Sequence, residues 1–143
     1  MGIVLECKKT GQEMYMGYIG FDRLRTTVAY LMGPDVGAHY SKLNQIYDLP
    51  LEERRKAIPE YDKKTEQLIE SKALDEKIAA FLYQADTDGK ISYKVCKRIL
   101  KVIGDYDDGA IYGYAALPHP GKFKEFKAIL QDCVKNKCKM VWM

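Results

Sequence analysis

Hydrophobic residues at Ile3, Leu5 and Cys7 alternate with Val4, Glu6 and Lys8, and a period of two predicts a β-strand with one buried face. After the turn-forming pair Thr10-Gly11, residues Met14, Met16 and Tyr18 share one face of a second extended segment, so the two read as a hairpin. At the other end Cys138, Met140 and Trp142 alternate with Lys139, Val141 and Met143. This short C-terminal strand is suited to join the same sheet, because an apolar terminal strand is rarely left unpaired.

Between the ends the period changes to three and four. Phe21, Leu24, Val28 and Leu31 form one apolar stripe, and Gly33-Pro34 stops that helix. The stretch from Pro34 to Pro59 has a weaker pattern: a helical turn or two within Val36 to Ile46, then a short helix from Leu51 to Ala57. In that short helix acidic Glu52-Glu53 precedes basic Arg54-Arg55-Lys56, as the helix dipole favours. Leu68, Ile69, Leu74, Ile78, Phe81 and Leu82 predict one long helix over 62–83, with a break near Ser71 as the alternative. Ser92 is a good N-cap for a helix carrying Val95, Cys96, Ile99, Leu100 and Ile103, which Gly104 ends. The segment from Asp105 to Gly121 has no sustained period and reads as a long loop. A final helix starts near Lys122 and turns Phe123, Phe126, Ile129, Leu130, Cys133 and Val134 inward. The expected fold is α+β: a helix-rich single domain over 1–143 with a small antiparallel sheet formed by the N-terminal hairpin and the C-terminal strand.

Composition agrees with a packed core, since 47% of the 143 residues are hydrophobic and 30% charged. No uncharged run reaches the length of a membrane span, and the start has no signal-peptide pattern, so a cytoplasmic protein without membrane association is expected. The formal charge of +3 is too small to argue for nucleic acid as partner and excludes an acidic nucleic-acid mimic. Six lysines between Lys122 and Lys139 face only Glu125 and Asp132, a bias that a solvated helix face explains.

Four cysteines, Cys7, Cys96, Cys133 and Cys138, include no CxxC pair. Their spacing is poor for zinc, and the positions of Cys96 and Cys133 on apolar stripes predict buried reduced thiols. A Cys7 to Cys138 bridge between terminal strands is the competing reading.

The segment Gln84-Ala85-Asp86-Thr87-Asp88-Gly89-Lys90-Ile91 matches the centre of an EF-hand loop. With Gly89 at the sixth position, Asp86 and Asp88 fall at the third and fifth, and Ile91 at the eighth. The first position is then Gln84 and the twelfth Val95, which removes a monodentate and a bidentate carboxylate. The expected role is therefore a turn, with Asp86 and Asp88 bonding the backbone and Gly89 at positive φ, and no cofactor is assigned. Asp86 and Asp88 remain a weak metal alternative.

This Asp-x-Asp-Gly-x-Ile-Ser turn, between the Ile78, Phe81, Leu82 helix and a Cys-bearing helix, resembles a stretch in small uncharacterised proteins of bacteria and their phages. Met1-Gly2-Ile3 and the segment Tyr18-Ile19-Gly20-Phe21-Asp22-Arg23-Leu24-Arg25 are similar to theirs as well. Ala85 and Thr87 stand where that group often has Ser and Cys. The resemblance implies a bacterial or phage source and no reaction.

Of the two histidines, His119 lies between Pro118 and Pro120, and His39 reads as a partly buried polar residue or a ligand. Neither belongs to a catalytic motif, so no catalytic residue is assigned and an enzyme is not expected. Among 11 tyrosines, Tyr106, Tyr112 and Tyr114 share the long loop with Asp107 and Asp108. These five are the candidate partner-binding residues, since tyrosine offers contact area at small entropic cost. Arg23 and Arg25, expected to point away from the apolar stripe, are the phosphate-binding candidates of an alternative reading. The leading expectation is a non-enzymatic protein-interaction module, with a phage inhibitor of a host defence protein as one form of it. The alternative is a sensor or sequestering protein for a nucleotide; a homo-oligomer fits either.

Overall fold

A computed structural model describes residues 2–106 and 123–143, which form six helices and four strands in an α+β arrangement. Strands β1 (Gly2–Cys7) and β2 (Glu13–Gly17) make the hairpin, pairing Val4 with Tyr15 and Glu6 with Glu13. The C-terminal strand β4 (Met140–Trp142) lies on the other side of β1, and β3 (Gly89–Ile91) closes the sheet. All pairings are antiparallel, in the order β2-β1-β4-β3. Alternation selects the buried face: Ile3, Leu5, Cys7, Met14, Ile91, Met140 and Trp142 all point into the core. Tyr18 is not part of β2; it opens the following helix.

Helix α1 (Tyr18–Met32) has the expected stripe, burying Phe21, Leu24 and Val28. The next two helices depart from the sequence expectation. Gly33-Pro34 stops α1 and at once starts α2 (Pro34–Tyr47), because proline suits the first turn, where no helical N–H bond is lost. Helix α3 (Leu51–Glu70) runs straight through Pro59, an exposed residue, so the supposed boundary at 57–59 does not exist. The expected long helix over 62–83 is two helices. Lys72 takes a left-handed φ of 65°, and Asp75 caps α4 (Glu76–Tyr83) by accepting from the amides of Lys77 and Ile78. Helix α5 (Tyr93–Ile103) is capped by Ser92, whose Oγ accepts from the Val95 amide, and ends at Gly104 with φ 53°. Helix α6 (Phe123–Asn136) returns to the sheet.

The helices cover one face of the sheet. Phe21, Phe81, Phe126 and Trp142 meet at the centre, with Phe81 edge-on to Trp142 at 5.7 Å and stacked on Phe126 at 5.7 Å. A second aromatic group, Tyr40, Tyr61 and Tyr83, joins α2, α3 and α4, and the Tyr61 and Tyr83 hydroxyls are 2.9 Å apart. Burial pushes the Tyr40 hydroxyl up to about 12. Several of the tyrosines thus serve packing.

Candidate functional site

Among the described residues, no helix or strand covers the opposite face of the sheet. Across three strands Tyr15 pairs with Val4, and Val4 exchanges both backbone hydrogen bonds with Met143 at 2.9 and 3.2 Å. Tyr15 is 61% exposed and Met143 65%, so an apolar row crosses the open face. It ends at β2, which among the described residues is an outer strand of the sheet. Tyr18 and Ile19, at the start of α1, extend the apolar surface past that edge; Ile19 is 73% exposed. A neighbouring row is charged: Glu13 pairs with Glu6, Glu6 with Val141, and Val141 with Lys90. The Tyr15 hydroxyl donates to Glu13 at 2.9 Å, tying the two rows together. A shallow depression of about 470 Å³ lies against the edge, lined by Val4, Tyr15, Met16 and Gly17 among others.

The residues singled out by sequence fall in different places. Tyr106 is half-buried and packs edge-on against Phe123 at 5.0 Å. Asp107, Asp108, Tyr112 and Tyr114 lie outside the described residues, as does His119. Arg23 is exposed as expected, but Arg25 is not: only 5% of it is accessible. Its guanidinium lies 4.1 Å from the Phe21 ring centre, and it donates to the carbonyls of Gln84 at 2.8 Å and Ala85 at 3.4 Å. A helical stripe can hold a cation when carbonyls about sixty residues away are folded over it, and Arg25 is such a case. Burial lowers its proton affinity, while Tyr40 and Asp86 oppose that effect. Arg25 is therefore engaged inside the protein, and the phosphate reading loses one of its two cations.

The Asp86, Asp88 turn is also held differently from expectation. Gly89 does not adopt positive φ; it is in β3, and a Cβ there would lie 2.1 Å from the Trp142 ring. Glycine is needed for room. Asp86 and Asp88 are exposed, and among the described residues neither accepts a hydrogen bond. The shape is set instead by Gln84, whose side-chain amide donates to the Lys90 carbonyl at 2.8 Å and accepts from its N–H at 3.1 Å. Trp142 Nε1 adds a bond to the Ala85 carbonyl at 2.9 Å. The residue at the first position of the apparent calcium loop is thus a strand-like clasp.

His39 is buried against Tyr61, ring on ring at 3.9 Å, with Nε2 2.7 Å from the Thr65 hydroxyl. Burial and the nearby Lys42 and Lys64 lower its proton affinity. It is a packed polar residue.

The four thiols, expected to be buried and reduced, are free, and they converge. Cys7, Cys133 and Cys138 place their sulfurs within 4.8 Å of one another, and Cys7 Sγ is 2.9 Å from Cys138 Sγ. Cys96 interacts with Cys133 from α5. All four are free thiols, and Cys138 is the one partly exposed. Burial raises the Cys7 proton affinity, but bonds from Cys138 and from the Thr10 side chain and amide outweigh it, leaving this thiol below its ordinary range. The bond to Cys96, burial and the bond to Cys7 together raise Cys133. The competing sequence reading paired Cys7 with Cys138, and these sulfurs do meet without a bond between them; that Cys133 joins them is not foreseen from sequence, because its five-residue step to Cys138 reads as poor ligand spacing.

Compared with family models, with curated proteins and with solved structures, the chain matches none. No helix among the described residues is long and apolar enough to cross a membrane.

Proposed function

We propose that this chain is a non-enzymatic interaction module that binds another protein on the sheet face that carries Tyr15 and along the outer strand β2. The observation that carries the reading is the Tyr15–Val4–Met143 row, with Tyr15 61% and Met143 65% exposed, lying beside β2, an outer strand of the sheet among the described residues. An extended segment added beside β2 would satisfy its backbone groups and cover the row, while Glu13 and Glu6 favour a basic residue one step along. The loop candidates Tyr112 and Tyr114 are a second place for contact with the same partner. A reducing compartment such as the cytoplasm suits the four free thiols. The sequence resemblance to bacterial and phage proteins directs the search for the partner to bacterial proteins, defence proteins among them.

The test replaces Tyr15 with Ser and Ile19 with Ser together and compares partner recovery with the parent chain. Both side chains are exposed, so the melting temperature should hold while recovery falls at least about tenfold, the loss of ~1.4 kcal/mol of binding. Equal recovery overturns the reading.

A further inference from the structure

Strand β1, helix α6 and the turn that follows α6 bring sulfur to one point for identifiable reasons. Cys7 ends β1 on its buried face, so strand alternation aims it under the sheet. Cys133 and Cys138 flank the end of α6, where Lys137 takes φ 51°, the Cys138 amide bonds the Cys133 carbonyl at 3.0 Å, and the Lys137 amide bonds the Val134 carbonyl at 3.3 Å. This closure places the side chains on either side of a helix end against each other. The five-residue step that looked wrong for a ligand pair becomes one once the helix ends in a left-handed residue. The hairpin turn completes the surroundings, where Thr10 Oγ1 donates to Asp132 on α6. Lys8, Lys9, Lys135, Lys137 and Lys139, each within two residues of one of these cysteines, are exposed.

We propose that Cys7, Cys133 and Cys138 form a thiolate site for a soft divalent cation, zinc by chemical class, which clamps the N-terminal hairpin to the corner between α6 and β4. Three thiolates are the donor set such an ion prefers, and about 2.3 Å from sulfur to zinc implies sulfurs about 3.8 Å apart in a tetrahedron. The observed mutual limit of 4.8 Å accommodates that spacing, with Cys7 and Cys138 parting slightly from 2.9 Å. A disulfide would join two of these sulfurs and leave the third unexplained. The Thr10–Asp132 bond ties the hairpin turn to α6 beside the cluster, and the neighbouring lysines offset the net negative charge of a zinc bound by three thiolates. The fourth position faces the exposed side of Cys138, through which the ion would arrive. This site lies under the sheet and is independent of the binding face.

The test uses the full chain, reduced by a non-thiol phosphine and titrated with cobalt(II) as a spectroscopic stand-in for zinc. One equivalent should produce sulfur-to-cobalt charge transfer with tetrahedral d–d bands, and one equivalent of zinc should abolish both. The variant Cys138→Ser, altered at the partly exposed position, should keep the metal-free melting temperature and bind cobalt more than about 100-fold more weakly, beyond what loss of an outer partner causes. Should that variant misfold, alkylation of the parent chain decides: zinc should slow the reaction of Cys138 with iodoacetamide at least about tenfold. A cobalt spectrum without charge transfer, or unchanged alkylation with zinc, overturns the proposal. So does a chain that converts to a Cys7–Cys138 disulfide in air and takes up no cobalt once reduced again.

Discussion

Cys133 and Cys138 face each other because Lys137, between them, adopts a left-handed backbone. That conformation costs a side-chain-bearing residue roughly 1 kcal/mol and glycine almost nothing. Lys137→Gly should therefore raise the unfolding free energy by ~1 kcal/mol in urea, and Lys137→Val should lower it. If the two variants are equal in stability, the helix end does not close in this way.

Arg25 and Arg23 should separate cleanly. Arg25→Met leaves the Gln84 and Ala85 carbonyls without their donor and should cost about 3 kcal/mol, whereas Arg23→Met should lie within about 0.5 kcal/mol of the parent. Urea midpoints with unchanged slopes provide the check.

Trp142 leaves no space for a side chain at position 89. Gly89→Ala should destabilise by roughly 1–3 kcal/mol through overpacking, although its backbone conformation is open to alanine. Calcium at millimolar concentration should leave the parent melting temperature unchanged, since Gln84 is occupied with Lys90.

His39 gives a pH dependence of defined sign. Its proton affinity in the folded state is lowered, so the unfolded chain binds the proton more tightly. The stabilisation is complete above the unfolded value of about 6.5 and is lost as pH falls through the lower folded value. Between pH 7.5 and 5 the parent should lose more melting temperature than His39→Gln. Parallel curves would show that His39 does not titrate differently on folding.

Much of this architecture was legible in the sequence because local patterns encode it. Alternation at Ile3, Leu5 and Cys7 and at Met140 and Trp142 located strands β1 and β4 and their buried face, and Ser92 and Gly104 marked both ends of α5. The misread helices involve residues with two meanings: Pro34 can end one helix or begin the next, and an exposed Pro59 need not break one. The apolar period continues past Ser71, so the left-handed Lys72 was invisible. Arg25, Gly89 and the meeting of Cys133 with Cys7 were missed for a common reason. Their roles depend on residues about 50 to 130 positions away, namely the Ala85 carbonyl, the Trp142 ring and the Cys7 thiol, and no window along the chain contains both partners. The open sheet face was partly legible, since Tyr15 and Val4 were on the polar side of their strands, but Met143 joined them only through pairing with Val4.

The central claim, binding through the open face and edge of the sheet, is tested most directly by site-specific photo-crosslinking in cells that carry the gene. A benzophenone amino acid placed at Tyr15 should yield one covalent adduct with a single protein, and the same group at exposed Lys63 on α3 should yield none. Adducts at position 63 with that protein, or none at position 15 where the parent chain still recovers a partner, would contradict it.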